Sequence, residues 1–190
     1  VDKTPAKPGE PVLEVENLTV PSQLHKNDAV KGVSFTARRG EIVCIAGIDG
    51  NGQSELVYAL TGLEKASGGK ITLLGKDITH ASIRQRSFAG MSHIPEERHK
   101  HGLVLDYTLE QNLVLQRYYE PQFQHGGFIR FDEERKYADK LIEVYDIRSG
   151  QGPVTIARSM SGGNQQKAII AREIDRELPL IVAVQPTRGL

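Results

Sequence analysis

Residues 47 to 54 read GIDGNGQS, the frame G-x-x-x-x-G-K-[ST] of a phosphate-binding loop with Gln53 where the lysine belongs. In such a loop the backbone N–H groups and the N-terminus of the following helix cradle phosphate oxygens. The lysine reaches the β- and γ-phosphates, and the serine or threonine hydroxyl binds Mg2+. Here Gly47, Gly50, Gly52 and Ser54 keep the loop and its hydroxyl, Asp49 and Asn51 lie between the glycines, and the full positive charge is gone. Gln53 can still donate hydrogen bonds. Taken alone, the segment reads equally as a nucleotide site without its cation or as a glycine-rich turn with no ligand.

A phosphate loop needs a strand before it and a helix after it. The apolar, non-alternating EIVCIAG (41–47) predicts a strand of a parallel sheet covered on both faces. SELVYALTGL then predicts a helix with Leu56 and Leu60 on one side. Upstream, VLEVENLTV (12–20) and VKGVSFTA (30–37) alternate at Leu13/Val15 and Val33/Phe35/Ala37, the period-2 pattern of half-buried strands, and predict an antiparallel edge layer. GKITLLGKDI reads as a strand pair, and SFAGMSHIPEER as a short buried strand ending at Pro95. From about Arg98 to Arg158 the texture turns helical. Thr108 with Gln111 three residues on forms a capping box. Asp132 is the expected cap of DEERKYADKLIEVY, whose Tyr137, Leu141, Val144 and Tyr145 make an apolar stripe. A helix is expected behind the Ser161-Gly162-Gly163 turn, and LPLIVAV is expected as a buried strand.

The chain has 190 residues, enough for one α/β domain or a core with an inserted subdomain. Lys+Arg and Asp+Glu are both 24, so no global field recruits nucleic acid or anionic lipid. The aromatic RYYEPQF reads as core or partner contact, because too few basic residues interleave it for base stacking. The single cysteine, Cys44, excludes an internal disulfide framework and sits in an apolar run, which predicts plain packing. No run is long and apolar enough to cross a membrane. VDKTPAKPGEP at the start reads as a linker, and PTRGL at the end comes directly after an apolar strand, so an excised piece of a longer polypeptide is expected.

Four ordered motifs carry a family resemblance. MSGGNQQK (160–167) resembles the signature sequence of ATP-binding-cassette ATPases, and LIVAVQPTRGL resembles their Walker B strand and the start of the D-loop. HIPEERHKHGLVLDYTLEQNLVL falls where the Q-loop and the start of a helical subdomain belong, and GIDGNGQS is the Walker A loop. The chain is most similar to the second, C-terminal cassette of tandem-cassette importers for sugars and nucleosides, on DGNGQSEL, IPEER…HGLVLD, SGGNQQK and PTRGL. The nucleoside branch is the nearer of the two.

The fold implied by that resemblance is an α/β P-loop NTPase core of RecA-like type with an antiparallel edge layer and an inserted α-helical subdomain, truncated at its C-terminus. The resemblance makes residues 1–10 the inter-cassette linker, 11–97 and 159–190 the core, and 98–158 the helical subdomain. It assigns Gly47, Asp49, Gly50, Asn51, Gly52, Gln53 and Ser54 to binding the nucleotide ATP, with Ser54 a weak Mg2+ ligand. By the same likeness Gln185 stands at the catalytic glutamate, Val184 at the metal-binding aspartate, and Glu96 at the Q-loop glutamine. The aromatic residue that stacks adenine in the family is absent between Val20 and Ala29, and the switch histidine would lie beyond Leu190. Gln185 cannot take a proton and Val184 cannot hold a hard cation, so the cassette's own site is expected to be catalytically silent. Ser161, Gly162, Gly163, Asn164 and Gln165 are implied to act instead in trans, on a nucleotide held by the first cassette of the same polypeptide. Arg98, His99, Lys100 and His101 either meet acidic groups of the permease or form a solvated basic loop.

The implied partners are that first cassette, transmembrane permease subunits and, through the complex, a substrate-binding lipoprotein or periplasmic protein, with no nucleic acid. The implied place is the cytoplasmic face of a bacterial membrane. Three alternatives stand beside nucleoside import: the same role in ribose or galactose import, a non-transport ABC protein, and a structural or regulatory nucleotide-binding domain.

Overall fold

A computed structural model describes residues 5–22, 26–48 and 50–190. Asp49, and the part of the linker before residue 5, lie outside the described residues. The chain divides into two compact units, one running to Ser92 and taking in Leu178–Val182, the other formed by His93–Glu177 and Ala183–Leu190.

The first unit is built on β1 (Pro11–Pro21) and β2 (Asp28–Arg38), antiparallel with Leu13 opposite Ala37 and Val15 opposite Phe35. The predicted alternation decides the faces: Leu13, Val15, Leu18 and Val20 are buried, and Val33, Phe35 and Ala37 pack against the same core. β3 (Gly68–Leu73) pairs antiparallel with β1 and turns into β4 (Lys76–Asp77), giving the order β2-β1-β3-β4. Leu56 and Leu60 of α1 (Gln53–Thr61) close over this layer with Ile71, Leu73 and Ile78. SFAGMSHI divides differently from the prediction. Its first part belongs to α2 (Ile83–Ala89), entered through a Ser82/Gln85 capping box, and only Met91–Ile94 forms the strand β5.

The sequence misleads most at 41–48. The expected strand is coil, and Ile42, Val43, Ile45 and Ile48 are exposed, Ile42 at 95%. Cys44 is exposed as well, not packed. An apolar strand is stable where neighbours take its N–H and C=O groups and elements cover both faces. The pairings among the described residues, β2-β1-β3-β4, β5 with Leu180–Ala183, and Gln124–His125 with Phe128–Ile129, give 41–48 no ladder partner. The predicted buried strand LPLIVAV is likewise shorter, β8 (Leu180–Ala183), with alternate residues exposed.

In the second unit α3 (Leu109–Val114) starts at the predicted Thr108/Gln111 capping box, both halves of which are formed. A short hairpin, β6 (Gln124–His125) with β7 (Phe128–Ile129), leads to α4 (Phe131–Val144). The cap of α4 is Arg130, without a side-chain bond, and Asp132 sits inside the first turn, where its charge favours the positive helix end. Of the predicted stripe, Tyr137 and Leu141 are buried with Phe123, whereas Val144 is 65% exposed because the helix ends there. Arg117 lies over the rings of Phe123 and Tyr137, so the end of the aromatic segment is core, whereas Tyr118 is exposed.

α5 (Gly162–Ile174) closes this unit and carries an unexpected buried polar network. Glu173 is fully buried and accepts from Arg172 Nε at 2.9 Å, Gln116 Nε2 at 2.9 Å and Arg176 Nη1 at 3.3 Å. Arg172 also donates to the Asn112 carbonyl at 3.2 Å. Beside it, burial pushes the His93 imidazole down to about 4, so it is neutral at pH 7.

Candidate nucleotide-binding site

The glycine loop belongs to the first unit. Gly50 and Gly52 have φ of 86° and 90°, the left-handed region that glycine enters without strain. Gly52 has a second reason to lack a side chain, because a Cβ there would lie 2.5 Å from the Ala29 carbonyl oxygen. The backbone of β2 thus runs close under the start of α1, and Gly52 is its N-cap with no side-chain bond. The first N–H groups of a nine-residue helix therefore open beside the loop, the usual arrangement for a phosphate.

Gln53 fills the lysine's place differently. Its Nε2 donates to the Ile48 carbonyl at 3.1 Å, folding the amide across the loop onto its own backbone. The position a Gly47 side chain would take is occupied by that amide. A neutral amide already bonded to the loop offers a phosphate no formal charge. Gly47 and Asn51 are exposed, and Ser54 is half-buried on the first turn.

The far end of α1 is anchored by Arg86, a residue that no motif singles out. Arg86 is buried and donates to the Ala59 and Leu60 carbonyls at 3.1 and 2.8 Å, and to those of Thr79 and Ala81 at 3.0 and 2.9 Å. Two of these are carbonyls at the negative end of α1, so a guanidinium there both satisfies and neutralises it. Burial lowers its pKa from the usual arginine value. Its immediate neighbours in SIRQRSFAG are polar, so nothing local marks it for burial; which carbonyls it meets depends on folding.

All the other candidate residues belong to the second unit. Ser161 caps α5, accepting from the Asn164 N–H at 3.4 Å and from Asn164 Nδ2 at 2.9 Å. Asn164 Oδ1 in turn accepts from the Arg148 N–H at 2.8 Å. Gln165 is buried, and its Nε2 donates to the Ala157 carbonyl at 2.9 Å. The side chains of Asn164 and Gln165 are therefore engaged within the fold. Gly163 has no room for a side chain, since a Cβ would lie 2.7 Å from the Gly189 carbonyl oxygen, whereas at Gly162 it would meet the movable end of Arg98 at 2.7 Å. Gln166 Nε2 donates to the Pro186 carbonyl at 3.0 Å, which ties the PTRG loop to the same helix.

Arg98, His99, Lys100 and His101 fall in one π-helical turn, Arg98–Gly102, that brings Arg98 and His99 to α5 and leaves Lys100 exposed. Glu96 is half-buried. Val184 donates its N–H to the Ile94 carbonyl, and Gln185 is exposed with a φ of 43°. Neither 184 nor 185 brings a carboxylate, and a hydroxyl such as that of Ser54 does not by itself meet the demand of Mg2+ for octahedral oxygen ligands. The described residues of the loop fit phosphate held by backbone N–H groups, and among them the Ser54 hydroxyl alone would not hold Mg2+.

A family model described as ABC transporter matches residues 30–188. Over 189 residues, all of this chain, the sequence is 48% identical to the guanosine import ATP-binding protein NupO of Bacillus subtilis, of which it covers 37%. It is 35% identical over 185 residues to the ribose import ATP-binding protein RbsA of Caldanaerobacter subterraneus, covering 97% of this chain and 36% of that protein. The chain thus spans little more than a third of the length of these relatives. Among solved structures, a dimeric, post-hydrolysis ATP-binding cassette with ADP and Pi superposes with a TM-score of 0.76 at 22% identity, covering 94% of this chain and 75% of that one. That likeness is one of fold.

Proposed function

We propose, from the premise that this chain belongs to the ABC transporter family, that it is a nucleotide-binding domain of a nucleoside importer and the helper half of an asymmetric pair of cassettes. In this reading each ATP is held between the glycine loop of one cassette and the signature of the other. Residues 47–54 form a degenerate site that binds nucleotide weakly, with or without Mg2+, and does not hydrolyse it. Ser161, Gly162 and Gly163 complete the competent site on the first cassette. Closure of the pair around ATP then moves transmembrane permease subunits at the cytoplasmic face of the membrane, and these take solute from a substrate-binding protein outside.

One contrast within the chain carries the reading. The signature turn is fully formed, with a serine cap and two glycines at the start of a thirteen-residue helix, whereas the chain's own loop holds a neutral amide and positions 184 and 185 lack carboxylates. A phosphate-facing element has been kept whole while the groups for phosphoryl transfer are missing. Nucleosides are favoured over sugars by the 48% identity to a guanosine import protein, against 41% to a glucose and 35% to a ribose import protein. The subdomain assignment, 98–158 as the helical insertion, is part of the same proposal.

The substrate class is tested by uptake of a labelled nucleoside in cells that depend on the intact polypeptide. Saturable uptake lost on its deletion is the expected result. Restoration of ribose uptake instead would move the protein to the sugar branch, and no uptake of either would remove the import reading.

A further inference from the structure

The turn Arg98–Gly102, whose basic residues could equally have faced a membrane partner, lies along one side of α5 and touches it at three places. The Arg98 guanidinium sits against Gly162, where a Cβ would be 2.7 Å from Nη2. His99 Nε2 is 2.9 Å from Gln165 Oε1, and because an amide oxygen only accepts, the ring nitrogen is the donor. Gly102 faces the buried Ile169, where a Cβ would be 2.6 Å from Cδ1. Residues 162, 165 and 169 recur at intervals of three and four, a single stripe of the helix. The turn is closed by the Leu103 N–H donating to the Arg98 carbonyl at 2.9 Å. π-Helical turns are rare and recur at functional sites. Gln165 is the link in the middle, since its other amide group is already committed to Ala157.

We propose that Arg98 and His99 are positioning residues for the signature. Arg98 fences the first residue of α5. His99 holds Gln165, one turn further on, so that the Ser161 hydroxyl and the first N–H groups of the helix keep their place relative to an incoming phosphate. The proposal rests on the reading that this signature acts on the partner cassette's nucleotide. It locates the effect of His99 in nucleotide affinity: a helix start that rocks loses geometry at the phosphate, while the groups that transfer it belong to the other cassette.

The test is ATP hydrolysis by the full-length polypeptide assembled with its permease subunits in lipid vesicles. His99 is exposed, so its replacement leaves the fold intact. His99→Ala is expected to raise the KM for ATP about fivefold, the scale of one lost hydrogen bond, with kcat within about twofold and an unchanged unfolding midpoint. His99→Gln, whose amide N–H reaches to a similar distance, is expected to restore the KM. An unchanged KM in His99→Ala, a loss confined to kcat, or a raised KM that His99→Gln does not recover would each overturn the positioning role. Ser161→Arg in the same assay separates the two levels. If hydrolysis stops there while His99→Ala is silent, the positioning role alone fails. If hydrolysis survives Ser161→Arg, the trans reading fails and the positioning role with it.

Discussion

Ser161→Arg is expected to reduce ATP hydrolysis by the intact polypeptide at least about 100-fold, the scale on which a displaced reactant loses rate, because the arginine stands where the partner's phosphate must enter. Asn164 engages both acceptor sites of the Ser161 hydroxyl, which leaves its O–H for an acceptor from outside the chain. The arginine removes that donor and places its bulk in front of the Gly162 and Gly163 N–H groups. The fold should survive, because Ser161 is exposed and loss of an N-cap costs about 1 kcal/mol. Ser161→Ala is the milder companion and should retain part of the rate, since the glycine N–H groups remain. The assay is steady-state hydrolysis with the unfolding midpoint measured on the same preparation. A rate within about threefold of the natural protein at an unchanged midpoint would remove the signature from the mechanism.

The largest expected loss of stability is at Glu173→Leu. Glu173 is fully buried and gathers Arg172, Gln116 and Arg176, and Arg176 also donates to Gln116 Oε1 at 2.7 Å. Truncating the carboxylate leaves the Arg172 guanidinium, 2% exposed, with its remaining bond to the Asn112 carbonyl, and neutral His93 supplies no negative charge. Removing one partner of a buried pair costs about 3–5 kcal/mol, largely the penalty of the stranded charge. Replacing both, Arg172→Met with Glu173→Leu, should recover part of that, because the desolvation of Arg172 goes with its charge while Arg176 keeps its bond to Gln116 Oε1. Denaturant unfolding of the four proteins in the cycle measures the coupling. A single-variant loss below about 1 kcal/mol would mean that water or a shifted side chain compensates the arginine.

The antiparallel layer and the start of α3 were legible in the residues because their causes are local. Alternation at Leu13/Val15 and Val33/Phe35/Ala37 sets the faces of β1 and β2, and the Thr108/Gln111 capping box forms as read. Residues 41–48 failed for the opposite reason. Their composition is that of a covered strand, but a strand depends on partners that periodicity does not reveal, and 41–48 finds none in the described sheets. The buried polar network failed similarly. Arg172, Glu173 and Arg176 look like the polar end of an amphipathic helix, and nothing local shows that Gln116 and Asn112 come up to meet them. In the candidate site, the missing charge at Gln53 was plain from its type. That its amide would fold back onto Ile48, and that Asn164 and Gln165 would be engaged within the fold, depends on geometry.

The proposed pairing of a working signature with a silent loop predicts a stoichiometric difference. It is read by counting the ADP enclosed per full-length polypeptide when hydrolysis is arrested with orthovanadate, a mimic of the phosphoryl group in transfer. One ADP per polypeptide, lost in Ser161→Arg, is the expected count. Two per polypeptide, or ADP enclosed against residues 47–54, would show that this loop hydrolyses ATP itself and that the pair is not asymmetric.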